Sequence, residues 1–269
     1  MSISANIRPW QLPNILGLDA ALIAIAWQAI AAHSVGHTAN FAEPLVLGLS
    51  VWLTYLADRL FDARKRSVAD LLSRRHQFAK QHASTLWKIW WITLTANVAL
   101  AFLALDAAQL KYGFILLAIC LTYTALNQKL SKHFFPKELC VALIFAGGVL
   151  VFQTGAHSHA LLFNLSALYL LNCLVISKNE QDVDTALRVH SLAQARLPTL
   201  AITLSLYLLS CAMLAATHLT LASASASSAT ALLIIKALRK SQSAERFRVL
   251  CDTALFTGPA IYATVSLLD

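Results

Sequence analysis

Asp58 and Asp62 stand four residues apart in the stretch YLADRLFDARK (55–65), where an apolar run ends among basic residues. Residues four apart on an α-helix lie about 40° apart around its axis, so Thr54, Asp58 and Asp62 form one polar stripe. A second acidic group, NEQDVD, brings Asn179, Glu180, Asp182 and Asp184 to the end of another apolar run. Asn179 shares a helical face with Asp182, and Glu180 shares one with Asp184. Carboxylates from two helices at one depth are hard oxygen ligands suited to Mg²⁺, an ion whose shell is commonly completed by substrate phosphates. The Lys and Arg residues beside them suit a diphosphate. The first group taken alone has a blander reading, a solvated helix end with Asp58 and Asp62 paired to Arg59, Arg64 or Arg66.

The elements that must position these residues are membrane helices. Of the 269 residues, 58% are apolar and 13% charged, and the mean hydropathy is +0.63, outside the range of ordinary soluble domains. A spanning helix needs roughly 20 mostly apolar residues. About nine such stretches are present, near 13–33, 42–62, 86–105, 108–126, 138–155, 160–178, 198–216, 219–237 and 249–267. They fill most of the chain, so the expectation is a single polytopic transmembrane domain over 1–269, an all-α bundle. The N-terminal MSISANIRPWQLPN is polar and the first apolar stretch is long enough to span, so that helix is expected to stay rather than be cleaved.

A net charge of +8 would suggest nucleic acid in a soluble protein, but its distribution points elsewhere. With nine spans, 20 of the 21 Lys and Arg residues fall on one side, and Lys111 alone lies opposite. Lys and Arg accumulate in short cytoplasmic loops, so the N-terminus is expected inside and the C-terminus outside. The basic charge is thus a topology signal, with attraction to anionic lipid heads; no nucleic-acid partner is expected. Outer connections are short, inner ones long and charged, and function is expected on the inner side. The inner segments 58–85 and 178–196 both read as amphipathic helix continuing past an apolar run.

Other polar residues carry weaker signals. Asp252 follows Arg248 by four residues and reads as its intrahelical ion-pair partner, while Asp19 reads equally as a cavity-lining group or one hydrogen-bonded inside the bundle. His33, His37, His157 and His159 read as interfacial polar residues before a metal site, and Trp87, Trp90 and Trp91 as an aromatic belt. Five cysteines occur singly within spans and read as small core residues, and the small residues of SASASS (223–228) allow close helix approach.

Two acidic segments, nine spans and an inward N-terminus together resemble the UbiA superfamily of intramembrane prenyltransferases. That family carries an NxxxDxxxD motif at the inner end of its second helix, which here is TYLADRLFD, with Thr54 in place of Asn and both Asp58 and Asp62 kept. Its second motif has a common form KDxxD, matched in KNEQD by Lys178 and Asp182, with Asn179 replacing Asp. A Tyr followed by Lys four or five residues on corresponds to Tyr123 and Lys129, six apart. The resemblance implies Mg²⁺ held by Asp58, Asp62 and Asp182, the expected catalytic residues, with Thr54, Asn179, Glu180 and Asp184 as further ligands. Arg66, Lys129 and Lys178 are then the expected diphosphate contacts. It implies a prenyltransferase of the inner cell membrane, its site facing the cytoplasm, that moves a prenyl group from an isoprenyl diphosphate to a lipophilic or aromatic acceptor. Two alternatives stay open: a terpene cyclase of the same family, and a non-catalytic lipid-binding or transport protein that retains the cavity.

Overall fold

The computed structural model describes residues 7–64, 67, 71–130, 134–153, 159–186, 190 and 192–267, with the side chains of Asp184 and Ala186 outside that description. Among the described residues every regular element is helical. In chain order these are α1 (Leu12–Leu16), α2 (Leu18–Ser34), α3 (Ala42–Arg64), α4 (Arg74–Gln81), α5 (Ala83–Ala104), α6 (Ala107–Leu130) and α7 (Lys137–Leu150). There follow α8 (His159–Asn179), α9 (Gln181–Ala186), α10 (Thr199–Ala215), α11 (Leu219–Ala237), α12 (Ala244–Ala254) and α13 (Thr257–Ser266).

Each of the nine apolar stretches is helical, but two are broken. The first divides at Gly17 into α1 and α2, which meet at 78°. Gly17 adopts φ +76°, a left-handed conformation that closes α1 without a Cβ penalty. The last divides between α12 and α13, where Trp27 donates its indole N–H to Leu255 O at 2.9 Å. By length and apolarity α3, α5, α6, α8 and α11 can each cross a membrane, and the bent α1–α2 pair makes a sixth. At 1.5 Å per residue the 14 residues of α7 reach only about 21 Å, short of a ~30 Å hydrocarbon core.

The position of each helix follows from how apolar it is around its circumference. Leucines at 161, 165, 168, 171 and 174, all fully buried, cover about half of the circumference of α8, and the rest of the helix is also mostly buried, including Asn164, Ser166 and Asn172. It packs against α7, α10, α11 and α12 and forms the axis of the bundle. By contrast α5 and α6 bury only 6% of their spanning windows and present Phe102, Leu103, Phe114 and Leu121 outward, as a helix facing lipid does. The chain is an all-helical integral membrane protein.

The SASASS stretch does permit close approach: a Cβ on Gly258 would lie 2.6 Å from Ala224 O and 2.8 Å from both Ser228 Oγ and Trp27 Cζ2. Gly258 N–H instead donates to Ser228 Oγ at 2.9 Å, joining α13 to α11. The expected continuous amphipathic helix over 58–85 is not found. Ser67, Leu71 and Leu72 are not helical, and α4 folds back so that Ala79 joins Leu56, Leu60 and Leu86 in a small core shared with α3 and α5. Over 178–196 the helix likewise breaks after Asn179, and α9 is a separate six-residue piece.

Candidate functional site

Arg59 decides how the end of the bundle that carries α4 and α9 is assembled. Adjacent to Asp58 in sequence, it points across to α1, where its Nη1 donates to Asn14 O at 2.7 Å and Ile15 O at 2.9 Å. The carbonyls at the end of α1 are thereby satisfied despite burial, with Trp52 Nε1 serving Leu16 O at 2.9 Å. Arg59 thus hydrogen-bonds α1 rather than an aspartate.

Asp58 lies one step round the helix from Arg59, and Thr54, Asp58 and Asp62 lie on the stripe the sequence places there. Thr54 is exposed and donates its hydroxyl to Ser50 O at 2.9 Å, leaving oxygen lone pairs free. Asp58 is accessible to solvent, yet the charges of Lys137, Arg59, Arg75 and Arg248 act on it from α7, α3, α4 and α12. Asp62 is half-buried, with His76 Nε2 3.9 Å from its carboxylate. Tyr123 of α6 lies within electrostatic reach of Asp58 and Tyr55, and its ring sits 5.9 Å from that of Phe135. Tyr55 in turn is near Asp19, Asp252 and Arg248. Aromatic side chains from α3 and α6 therefore stand beside the charged cluster.

The second acidic segment is occupied differently. Glu180 follows α8 directly, and its Oε2 accepts from Arg248 Nη1 at 2.6 Å and from Arg75 Nη2 at 3.1 Å. Burial works to raise its carboxyl, but Arg248 and Arg75 outweigh it and hold the group down at about 2. Asn179 Oδ1 accepts from Arg239 Nε. Asp182 is exposed on α9, Lys178 half-buried in the last turn of α8, and Lys129 exposed in the last turn of α6. Arg66 lies outside the described residues, as does the side chain of Asp184. Among the described residues no three His, Cys, Asp or Glu side chains converge on a metal-sized point.

A polar network behind this cluster locks the helices in place. Asn14 Nδ2 donates to Asp19 Oδ2 at 2.6 Å and to Asp252 Oδ2 at 3.1 Å, so Asp19 is hydrogen-bonded within the bundle. The expected Arg248–Asp252 pair exists at 4.0 Å, but Glu180 is the nearer partner of Arg248. Sequence reasoning missed Arg75, Lys137 and His76. Arg75 and His76 lie in the inner segment 58–85 and Lys137 at the start of α7; the positive charge of Arg75 and Lys137 was the available signal, and nothing in the sequence marked His76. His76 is buried against Ser73, whose hydroxyl is 2.6 Å from its Nδ1, and burial followed by Arg75 lowers its pKa well below the usual range.

At the opposite end His33 Nδ1 meets Tyr262 Oη at 3.0 Å and His37 Nε2 meets Glu43 at 2.9 Å, so each has its own partner; His157 lies outside the described residues. Trp91 is exposed, whereas Trp87 and Trp90 are half-buried against the small core of α3, α4 and α5, and Trp90 donates to Leu53 O at 2.8 Å. The five cysteines are free thiols.

No protein-family model matches the sequence, and no curated protein does. Among solved structures, the apo structure of a UbiA homolog from Aeropyrum pernix K1 matches with a TM-score of 0.62 and 16% identity, over 93% of this chain and 98% of that one. The chain is UbiA-like in fold.

Proposed function

We propose that this protein is a UbiA-like prenyltransferase that ionises an isoprenyl diphosphate at the cytoplasmic face of the inner membrane and passes the prenyl group to a lipophilic or aromatic acceptor. One observation carries the reading: Asp58, exposed on its helix and acted on by the charges of Lys137, Arg59, Arg75 and Arg248, at one end of an apolar bundle with a UbiA-like fold. On this reading all nine helical stretches, as one domain, cross or enter the membrane, with the N-terminus inside.

The donor set of α3 fits a hard cation: Asp58 and Asp62 are accessible or half-buried carboxylates one turn apart, with the Thr54 hydroxyl one turn further along. We assign Asp58 and Asp62 as Mg²⁺ ligands, with Thr54, Asp182 and Asp184 as the residues that complete the set. Bound there, Mg²⁺ supplies Lewis-acid neutralisation of the diphosphate oxygens. The chain's own part is electrostatic and steric. Arg75, Arg248 and Lys137, with Arg66, Lys129 and Lys178 as further contacts, offer positive charge where the leaving diphosphate gains negative charge. Aromatic faces such as Tyr55 and Tyr123 border the space in which an allylic cation forms, and ring faces stabilise cations. Apolar walls keep water from capturing it.

The test is Mg²⁺-dependent release of diphosphate from isoprenyl diphosphates of several chain lengths by the purified protein. Asp58→Ala is expected to reduce release at least about 100-fold, the scale of removing one strong electrostatic contact from a transition state. Absence of release with every donor, or an unaffected Asp58→Ala variant, refutes the proposal. A cyclic product formed without added acceptor identifies a terpene cyclase instead.

A further inference from the structure

The two acidic segments differ in what already holds their oxygens. Asp58 is accessible, whereas both oxygens of Glu180 face guanidinium groups: Arg248 Nη1 at 2.6 Å and Arg75 Nη2 at 3.1 Å on Oε2, and Arg75 Nη1 at 3.4 Å on Oε1. The Glu180 side chain is only 11% exposed, and Asn179 Oδ1 is engaged by Arg239. A divalent ion at either oxygen would have to expel an arginine from a buried pair and then sit beside it. Asn179 and Glu180 do not fit a metal seat.

We propose that Arg75 and Arg248, held side by side by Glu180, do the work of a second metal ion and grip a diphosphate directly. The inference rests on the proposed function only in taking a diphosphate as the ligand. Sharing one carboxylate oxygen places the two guanidinium groups next to each other, and each keeps donors in reserve. Arg248 Nε is buried and makes no hydrogen bond, its nearest acid being Asp252 Oδ2 at 4.0 Å. Arg75 is next in sequence to His76, whose Nε2 is 3.9 Å from the Asp62 carboxylate of the first acidic stripe, and the charges of both arginines act on Asp58. Both also line a small recess of about 30 Å³, roughly the room of one water, together with Arg74, Glu180 and Glu245, so a diphosphate is gripped from the Asp58 side rather than inside that recess. Guanidinium groups match phosphate oxygens through paired N–H donors, and unlike a bound ion they stay in place when a chelator is present. Glu180 is a positioning residue here, setting the arginines without touching the ligand.

The experiment is a titration of the detergent-solubilised full chain with inorganic pyrophosphate, followed by calorimetry and by thermal midpoint, in EDTA and in excess Mg²⁺. Binding is expected in EDTA, and Arg75→Gln or Arg248→Gln should weaken it roughly tenfold or more. Glu180→Gln discriminates sharply. It is expected to keep binding in EDTA, because the amide oxygen still accepts from both guanidinium groups and keeps them side by side, and to tighten it about threefold because a negative charge near the anion is removed, whereas a metal-ligand role for Glu180 predicts loss of binding in Mg²⁺. Arg75→Lys keeps the charge and serves where Arg75→Gln fails to fold; intermediate affinity is expected. Pyrophosphate binding only in Mg²⁺, or its loss in Glu180→Gln, overturns the proposal. Prenyl transfer is scored separately: binding in EDTA without turnover of any isoprenyl diphosphate leaves the arginine grip standing and sinks the transferase reading, and Mg²⁺-only binding with turnover does the reverse.

Discussion

Replacing Arg59 with methionine tests whether one buried guanidinium sets the break that shapes the charged end of the bundle. Arg59 is 5% exposed and gives hydrogen bonds to Asn14 O and Ile15 O at 2.7 and 2.9 Å. In the variant Asn14 O retains the Gly17 N–H at 3.2 Å, while Ile15 O loses its side-chain donor inside the protein. An orphaned buried carbonyl costs about 1–3 kcal/mol and an ordinary lost hydrogen bond about 0.5–1.5, so the expected loss is about 2–4 kcal/mol. For a chain of this size that corresponds to a fall in thermal midpoint of roughly 5–15 °C. The assay is unfolding in mixed micelles followed by tryptophan fluorescence, with exposed Arg64→Gln as a control expected to change little. Arg59→Lys, which offers a single ammonium rather than a planar fork, is expected to lose about half as much. An Arg59→Met variant within about 0.5 kcal/mol of the parent, inside the range of ordinary surface substitutions, refutes the idea that Arg59 holds the α1–α2 break.

Gly258→Ala is expected to destabilise by about 2 kcal/mol or more, because the new methyl meets the backbone oxygen of Ala224 at 2.6 Å and that atom belongs to a helix; the same unfolding assay measures it. Stability is also expected to fall in two acid steps. His76 is held neutral by a lowered pKa, so its contribution is complete above its ordinary 6.5 and declines as pH drops below that value, by up to about 1.4 kcal/mol per pH unit. Glu180 follows: its contribution is complete above 4.5 and is lost as pH falls toward about 2. A His76→Gln variant whose midpoint shows the same pH dependence between 6.5 and 5 as the parent argues against the first step.

Period and length made the helices legible. Where a stretch is as rich in leucine as Leu161 to Leu174, burial follows from composition, and α8 is the axis of the bundle. The Thr54–Asp58–Asp62 stripe also follows from helical geometry. Small residues at 223–228 announced a tight approach, although Gly258 as the partner was not legible because it lies on another helix. Local spacing gave Arg248 one partner and missed its nearer one. Its i+4 partner Asp252 is 4.0 Å away, whereas Glu180, 68 residues distant, is at 2.6 Å. Asp19 left two readings open, and only the fold brings Asn14 within 2.6 Å to decide for a hydrogen bond in the bundle. The reversal of α4 onto α3 was equally hidden, since a polar amphipathic segment reads the same whether it continues straight or folds back.

These long-range pairs share a cause that bears on function. Buried charges must be paired or hydrogen-bonded, and in an apolar bundle the available partners are concentrated where helices end. Glu180 owes its position to the leucine-rich packing of α8, Arg75 to α4 lying on α3, and Arg248 to α12 packing against α8. The Glu180 carboxylate therefore reports whether three separately packed elements are in register. If diphosphate binds between Asp58 and the arginines, affinity must depend on core residues that never touch it. Truncating a fully buried leucine of α8 such as Leu174, 1% exposed, should weaken pyrophosphate binding as well as stability, because it loosens the turn that carries Glu180. A Leu174→Ala protein that is less stable but binds pyrophosphate unchanged would show that the grip is set locally by α4 and α12 alone.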